Sequence, residues 1–393
     1  MEAPTRTEAT SPPFDTGLLD RLMEEAGLDA ILATSKHNVQ YLLGGHRYFF
    51  FDYMDAIGVG RYLPVVLYVR GDVGAAAYVG NETEGWQLDN APLWVPTVEL
   101  TSWGSVDAVE SALAHLRKVC SAGATVGVEQ SFLPADSFVR LSQEQDVTLI
   151  EAFGVLERLR ARKSPAELAI VERASDAIVD SMTAVFASHG AGATKRELVA
   201  ALRTEQVRRG LTYEYCLVSM GSSFNRGESD QAWQAGEVLC LDSGGNLGGY
   251  IGDLARMAVL GPPDGELIDL LGEIEEIQQA TRLPVRPGVR GGEVYAAAEA
   301  AMGATPHGRS MFFVAHGMGL VSHEAPRLTC TGPVPYPADD ADRPLEEGMV
   351  LSIETTLQHP RRGFIKLEDT VVVTADGHRA FGDGARDWTA AGV

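Results

Sequence analysis

Two aspartates with ten residues between them, on either side of a glycine-rich turn, constrain this chain more than any other feature. The stretch Leu241-Asp242-Ser243-Gly244-Gly245-Asn246-Leu247-Gly248-Gly249-Tyr250-Ile251-Gly252-Asp253 predicts a β-hairpin whose arms are Val238 to Ser243 and Tyr250 to Leu260. With equal numbers of residues about the midpoint, Asp242 and Asp253 are expected roughly opposite each other on one face. Carboxylates about 4 Å apart repel by roughly 4 kcal/mol at an effective dielectric near 20. The arrangement therefore calls for a cation between them or a proton on one of them. Taken alone, the pair has a plainer reading: two solvated acids in an acidic chain.

Three further residues change the balance. His316 closes the apolar run Met311-Phe312-Phe313-Val314-Ala315 and precedes Gly317-Met318-Gly319. Glu354 ends the strand-like Met349 to Ile353, and Glu368 lies inside the strand-like Phe364 to Val373. Each acid or imidazole thus sits on or beside a predicted strand, the rigid support that a preorganised site needs. Four carboxylates with one imidazole form a hard donor set, suited to two Mn, Co, Fe or Zn ions.

The order Asp, ten residues, Asp, then His316-Gly317-Met318-Gly319-Leu320 with His323-Glu324-Ala325-Pro326, then Glu346 to Glu354, then Lys366-Leu367-Glu368-Asp369 resembles the pita-bread metallohydrolases. Methionine aminopeptidase, prolidase, aminopeptidase P, creatinase and ectoine hydrolase belong to that family. The resemblance runs from about Leu159 to Val373 and implies a curved antiparallel sheet covered by helices. It also implies roles. Asp242 would bind the first metal, Asp253 and Glu368 would bridge, and His316 and Glu354 would hold the second. Glu354 would also carry a proton to the leaving nitrogen. His323 would contact the substrate, against the plainer reading of a surface loop histidine. Asp369 would stand behind the ligands. Lys366 either reaches the substrate or forms an outward ion pair.

The substrate is less legible. Proline-specific relatives, and creatinase too, carry a histidine upstream of the first aspartate, and none occurs here between His189 and His307. The family spacing lands on Asn225 or on Glu228. Polar groups of the loop 221–233, Asn225 and Arg226 among them, are candidates for reading a charged substrate. Thr355 and Lys366 also depart from the proline-peptidase pattern. The expected function is cleavage of a peptide or amide C–N bond, Xaa-Pro peptidase-like without strict proline specificity. A small-molecule amidohydrolase of the creatinase or ectoine hydrolase kind, or a lyase on the same metal site, is the alternative. A non-catalytic binding protein comes third.

Composition excludes some partners. A net charge of −22 and a pI near 4.8 argue against nucleic acid or an anionic membrane, which require clustered Lys and Arg. Cys120, Cys216, Cys240 and Cys330 have no metal or redox spacing and read as reduced thiols of a cytoplasmic protein. Cys240, on the strand face of Asp242, reads as a packing residue. Met1 to Pro13 is polar and proline-rich, and a disordered tail is expected over residues 1–14.

At 393 residues the chain has room for two domains. Residues 15–155, where short strands (30–33, 63–69, 75–79, 125–128) alternate with helices (106–119, 135–143), predict an α/β domain with a mixed sheet. Its His37-Asn38-Val39-Gln40-Tyr41-Leu42-Leu43-Gly44 resembles the opening of a creatinase-type N-terminal domain. Residues 156–393 predict an α+β catalytic domain that starts at the capping box Ser164-Pro165-Ala166-Glu167. No internal sequence repeat is evident. The resemblance further implies a homodimer, with His46-Arg47-Tyr48-Phe49-Phe50-Phe51 lining the partner's pocket and Arg47 available to a substrate carboxylate. A strand buried on both faces is the plainer reading of that segment.

Overall fold

The computed structural model describes residues 11–52, 62–329 and 337–392. Two compact units divide between Arg160 and Ala161. Residues 1–10 of the expected tail lie outside the described residues, and Phe14 at its end packs edge-on against Tyr68 and Trp94.

The first unit runs α1 (Thr16–Glu25), β1 (Ala30–Ala33), α2 (Lys36–Leu42), β2 (Val65–Val69), β3 (Asp72–Asn81), α3 (Gly85–Leu88), β4 (Thr97–Ser102), α4 (Ser105–Val119), β5 (Ala124–Val128), α5 (Ala135–Ser142), β6 (Val147–Glu151) and α6 (Phe153–Ala161). The sheet order is β4-β3-β2-β1-β5-β6, with β1 antiparallel to β2 and parallel to β5. Alternation along β2 builds both faces. Val65 and Leu67 join Ala112, Leu113 and Leu116 of α4, while Val66 and Tyr68 join Leu19, Met23 and Val39 of α1 and α2.

The aromatic segment is not a strand. Phe49–Asp52 form a single 3-10 turn, in which successive side chains diverge by about 120°. Consecutive phenylalanines therefore divide between core and solvent: Phe51 is buried and Phe49 is 50% exposed. Tyr48 meets the rings of Phe49, Phe50 and Phe51 edge-on, and His46 pairs with buried Glu84 at 2.9 Å. Arg47 is half-buried, with Nη1 at 3.4 Å from Gln40 Oε1.

The second unit comprises α7 (Pro165–Ser188), α8 (Lys195–Arg208), β7 (Thr212–Met220), β8 (Val238–Leu247), β9 (Tyr250–Leu260), α9 (Gly265–Arg282), α10 (Gly291–Ala304), β10 (Met311–Gly317), β11 (Val350–His359), β12 (Gly363–Val373), β13 (His378–Phe381) and β14 (Thr389–Ala391). The capping box at Ser164 and Glu167 opens α7 as the sequence predicts. Its sheet has the order β10-β11-β12-β9-β8-β7, with β13 beside β12 and β14 beside β9. Along that path every neighbour is antiparallel. At its centre β12 and β9 share one paired position, Glu368 with Ala255, so the two three-stranded halves separate from there. Ile178, Met182, Phe186 and Leu202 of α7 and α8 pack on Val218, Leu239 and Leu254. Leu270, Ile274 and Ile277 of α9 pack on Leu357, Ile365 and Leu367, and Val294 of α10 on Phe313 and Ile353. This is the pita-bread arrangement.

Candidate metal centre

β8 and β9 turn at Gly248 and Gly249, whose φ values of 60° and 99° suit a two-residue hairpin that glycine adopts without strain. Leu247 pairs with Tyr250, so Asp242 stands opposite Ala255 and Asp253 opposite Gly244. The expectation that the two aspartates face each other is thereby corrected. The turn closes one residue beyond their midpoint, and they become diagonal neighbours on one face.

A second correction concerns Glu354. It does not end its strand, because β11 continues to His359 and makes Glu354 a direct cross-strand partner of Glu368. On the other side β10 sets His316 opposite Ser352, with His316 Nε2 at 3.7 Å from Glu354 Oε1. The strands thus gather three overlapping groups: Asp242, Asp253 and Glu368; His316, Glu354 and Glu368; and Asp253, His316 and His323. In each, the donor atoms lie within 4.8 Å of one another.

The electrostatics of this cluster follow from its burial. Asp242, Asp253 and Glu368 are buried, which pushes all three carboxyls above their ordinary range, and the charges of Glu368 and Asp242 push Asp253 further. Asp253 Oδ1 has no hydrogen-bond partner among the described residues. Lys366 points inward, with Nζ 2.5 Å from Asp242, 2.5 Å from Glu354 and 2.8 Å from Glu368. Burial opposes its charge, but the three carboxylates hold the ammonium well above the ordinary lysine range. Arg226 also meets Asp242 and lies over the Phe364 ring at 4.7 Å. Four acids with two side-chain cations leave a negative excess, which with the orphaned Asp253 oxygen fits divalent ions. His316 and His323 stack at 3.8 Å between ring centroids. Burial lowers the first to about 4 and the second to about 3, so both imidazoles are neutral at pH 7, the form in which histidine ligates metal.

The other candidates divide. Asn225 is exposed; its Oδ1 accepts from Gly227 N at 2.7 Å and its carbonyl from buried Lys195 at 2.7 Å, so it shapes its own loop and is not joined to the cluster. Arg47 lies in the first unit. Cys240 packs among Val238, Met257 and Ile365, with its thiol pushed up to about 12 by burial. Cys330 lies outside the described residues.

Three supports have no counterpart in the sequence reading, and for a fourth, Asp369, the sequence leaves the partners unnamed. The ring of Tyr215 in β7 fills the space of a side chain at Gly244, the residue that pairs with Asp253 across the hairpin, where a Cβ would come within 2.5 Å of it. Two glycines in a strand beside an aromatic were a signal for this packing. Ser352 donates to Glu368 at 2.8 Å. Lys163 and Glu324, next to His323, form a buried pair at 2.9 Å. Asp369 receives Arg256, Arg282, Arg386 and Gln278, and Arg256 also donates to the Glu368 carbonyl at 2.7 Å. Partners so distant in sequence leave no local pattern.

The model of metallopeptidase family M24 matches residues 169–375, more than half of the chain. The chain belongs to this family. The creatinase/prolidase N-terminal domain matches residues 17–162. As a member of M24 the protein is a metallohydrolase. Over 367 residues it is 28% identical to the probable dipeptidase PepE of Mycobacterium tuberculosis, covering 90% of this chain and 89% of that one. The Xaa-Pro dipeptidase structure from Bacillus anthracis superposes with a TM-score of 0.78 at 21% identity, covering 94% of this chain and 97% of that chain. The N-terminal domain of the FACT complex subunit SPT16 from Cicer arietinum shares the fold too, at a TM-score of 0.72 and 13% identity, covering 95% and 98%. Among the described residues no helix is long and apolar enough to cross a membrane.

Proposed function

We propose that this M24 protein uses two divalent ions to hydrolyse the C–N bond of small peptides or amides, without strict proline specificity. The observation that carries the reading is the set of overlapping donor groups in which Glu368 is shared between Asp242 and Asp253 on one side and His316 and Glu354 on the other. Asp242 would hold one ion, His316 and Glu354 the other, with Asp253 and Glu368 between them. Two ions bound there would supply Lewis acidity toward the scissile carbonyl and a water deprotonated near neutral pH.

The side chains do the rest. Glu354 keeps 14% of its side chain exposed, more than the other three acids, and is the one that faces an arriving substrate. It accepts a proton and passes it to the leaving nitrogen. His323, neutral and stacked on His316, donates a hydrogen bond to the carbonyl oxygen as charge develops there. Ser352 holds Glu368 in place through its hydrogen bond.

Dipeptides and small amides offered to protein reconstituted with Mn, Co, Fe or Zn test the reading. Turnover with incorporation of labelled water into the product is expected. Turnover without it would favour the lyase, and metal binding with no turnover would favour the binding protein. The missing histidine of the loop 221–233 counts against strict proline specificity and favours creatinase chemistry no better. A cytoplasmic homodimer is part of the proposal, supported by the free Cys120, Cys216 and Cys240 and by half-exposed Phe49.

A further inference from the structure

The loop after β10 brings His323 to the metal centre and is anchored by the residue that follows it. Glu324 is buried; its Oε1 accepts from Lys163 Nζ at 2.9 Å and its Oε2 from Val321 N at 3.2 Å. Its backbone N donates to the Gly317 carbonyl at 2.9 Å, one residue beyond His316. The Lys163 ammonium is equally enclosed and donates also to the Ala161 carbonyl at 3.2 Å. Lys163 is fixed by its backbone as well: its N donates to the Gly348 carbonyl at 2.9 Å, and Gly348 N donates to the Val373 carbonyl at 2.9 Å at the end of β12.

Stability does not explain why this loop is closed by unlike charges. An apolar pair of similar volume is often as stable as a buried ion pair, or more so, because two charges must be taken out of water to form the pair. What the ion pair supplies instead is a contact of defined length and direction, held at each end by further hydrogen bonds. The side chain next to it depends on such definition. The His323 ring lies within 15° of parallel to His316 at 3.8 Å, and a shift of the loop would break that stack.

We propose that Lys163 and Glu324 are positioning residues, a clamp that sets the His323 ring beside His316 and acts on turnover through His323 alone. This rests on the reading of His323 as the hydrogen-bond donor to the substrate carbonyl in a two-ion hydrolase, and deepens it. A group misplaced by about 1 Å loses on the order of 100-fold in rate while the fold around it persists. The clamp therefore governs turnover more than it governs the fold.

A double-mutant cycle on metal-reconstituted protein tests it. Lys163→Met and Glu324→Gln are each expected to lower kcat roughly 10- to 100-fold with KM changed under about threefold, and to lower it no further in a His323→Ala background. The apolar double variant Lys163→Met with Glu324→Leu, which buries no unpaired charge, is expected to melt near wild type and to keep the loss of kcat; it carries the same cycle if Lys163→Met alone does not fold. Recovery of kcat together with Tm, or an equal fold-loss with and without His323, would overturn the proposal and leave the hydrolase standing. Histidine ring ¹³C–¹H spectra of the metal-free protein give a readout free of turnover. Of the nine histidines, the signals of His316 and His323, identified by substitution, are expected to move in the double variant while the other seven stay in place. Unmoved His316 and His323 signals would overturn the clamp. A wild type that takes up metal and shows these shifts yet cleaves none of the dipeptides or small amides would overturn the hydrolase reading, and with it the action of the clamp on turnover.

Discussion

Asp253 carries the sharpest residue-scale consequences, because it is buried, shared between donor groups and short of a hydrogen bond. Wild type is expected to bind about two divalent ions per chain. Asp253→Ala or Glu368→Ala should retain under about 1% of activity and lose metal, as metal analysis and kinetics on the same samples will tell. His323→Ala should instead lower kcat by about 100- to 1000-fold with metal content intact; loss of metal would make His323 a ligand. The pH dependence has a definite sign. Burial, then Glu368 and Asp242, raises the Asp253 carboxyl above its unfolded value, so its contribution to stability is present below about pH 4 and lost as pH rises through the folded value. In metal-free protein Asp253→Asn should therefore melt with wild type near pH 4 and increasingly above it toward pH 7. With metal added the order should reverse. A constant Tm difference across that range would contradict the assignment.

At the scale of elements, the site depends on how segments are tied together. Lys163 N bonds the Gly348 carbonyl at 2.9 Å at the start of β11, while its Nζ pairs with Glu324 beside His323. The pair fills the space under Gly319, where a Cβ would lie 2.4 Å from Glu324 Oε1 and 2.7 Å from Lys163 Cε. Lys163→Met leaves a buried carboxylate without its cation and should cost about 3–5 kcal/mol by denaturant titration. The double variant Lys163→Met with Glu324→Leu should recover most of that. An equal loss in both would mean that the lysine stem, not its charge, is what matters. Hairpin arms and the α7 capping box were legible because their signals are local. The register was not, since one residue of turn position changes which residues face each other.

Across the whole molecule, helix, helix, strand, strand, strand occurs twice in the second unit, as α7 to β9 and again as α9 to β12. β9 and β12 meet at the centre of the sheet, and each half brings ligands to it. No repeat is visible in the sequence, because one half brings two aspartates and the other a histidine and two glutamates, on strands packed by different side chains. Assembly is tested at this scale: light scattering at micromolar concentration should give twice the 42.1 kDa chain mass. A mass of one chain with full activity would remove the homodimer from the proposal.

The sequence by itself determined which donors are present, their order, and the strands that carry them, because hydrophobic alternation, glycine turns and capping boxes act over a few residues. It indicated an α/β first unit on the same grounds, while the pita-bread organisation of the second was what the resemblance of its motifs to a known family implied. Only the tertiary structure decided that Glu354 faces Glu368, that Lys366 turns inward among three carboxylates, and that Tyr215, Lys163 and Arg256 support the site. Those facts depend on register and on contacts between segments far apart in the chain, where burial and unlike charge, not local propensity, select the partner.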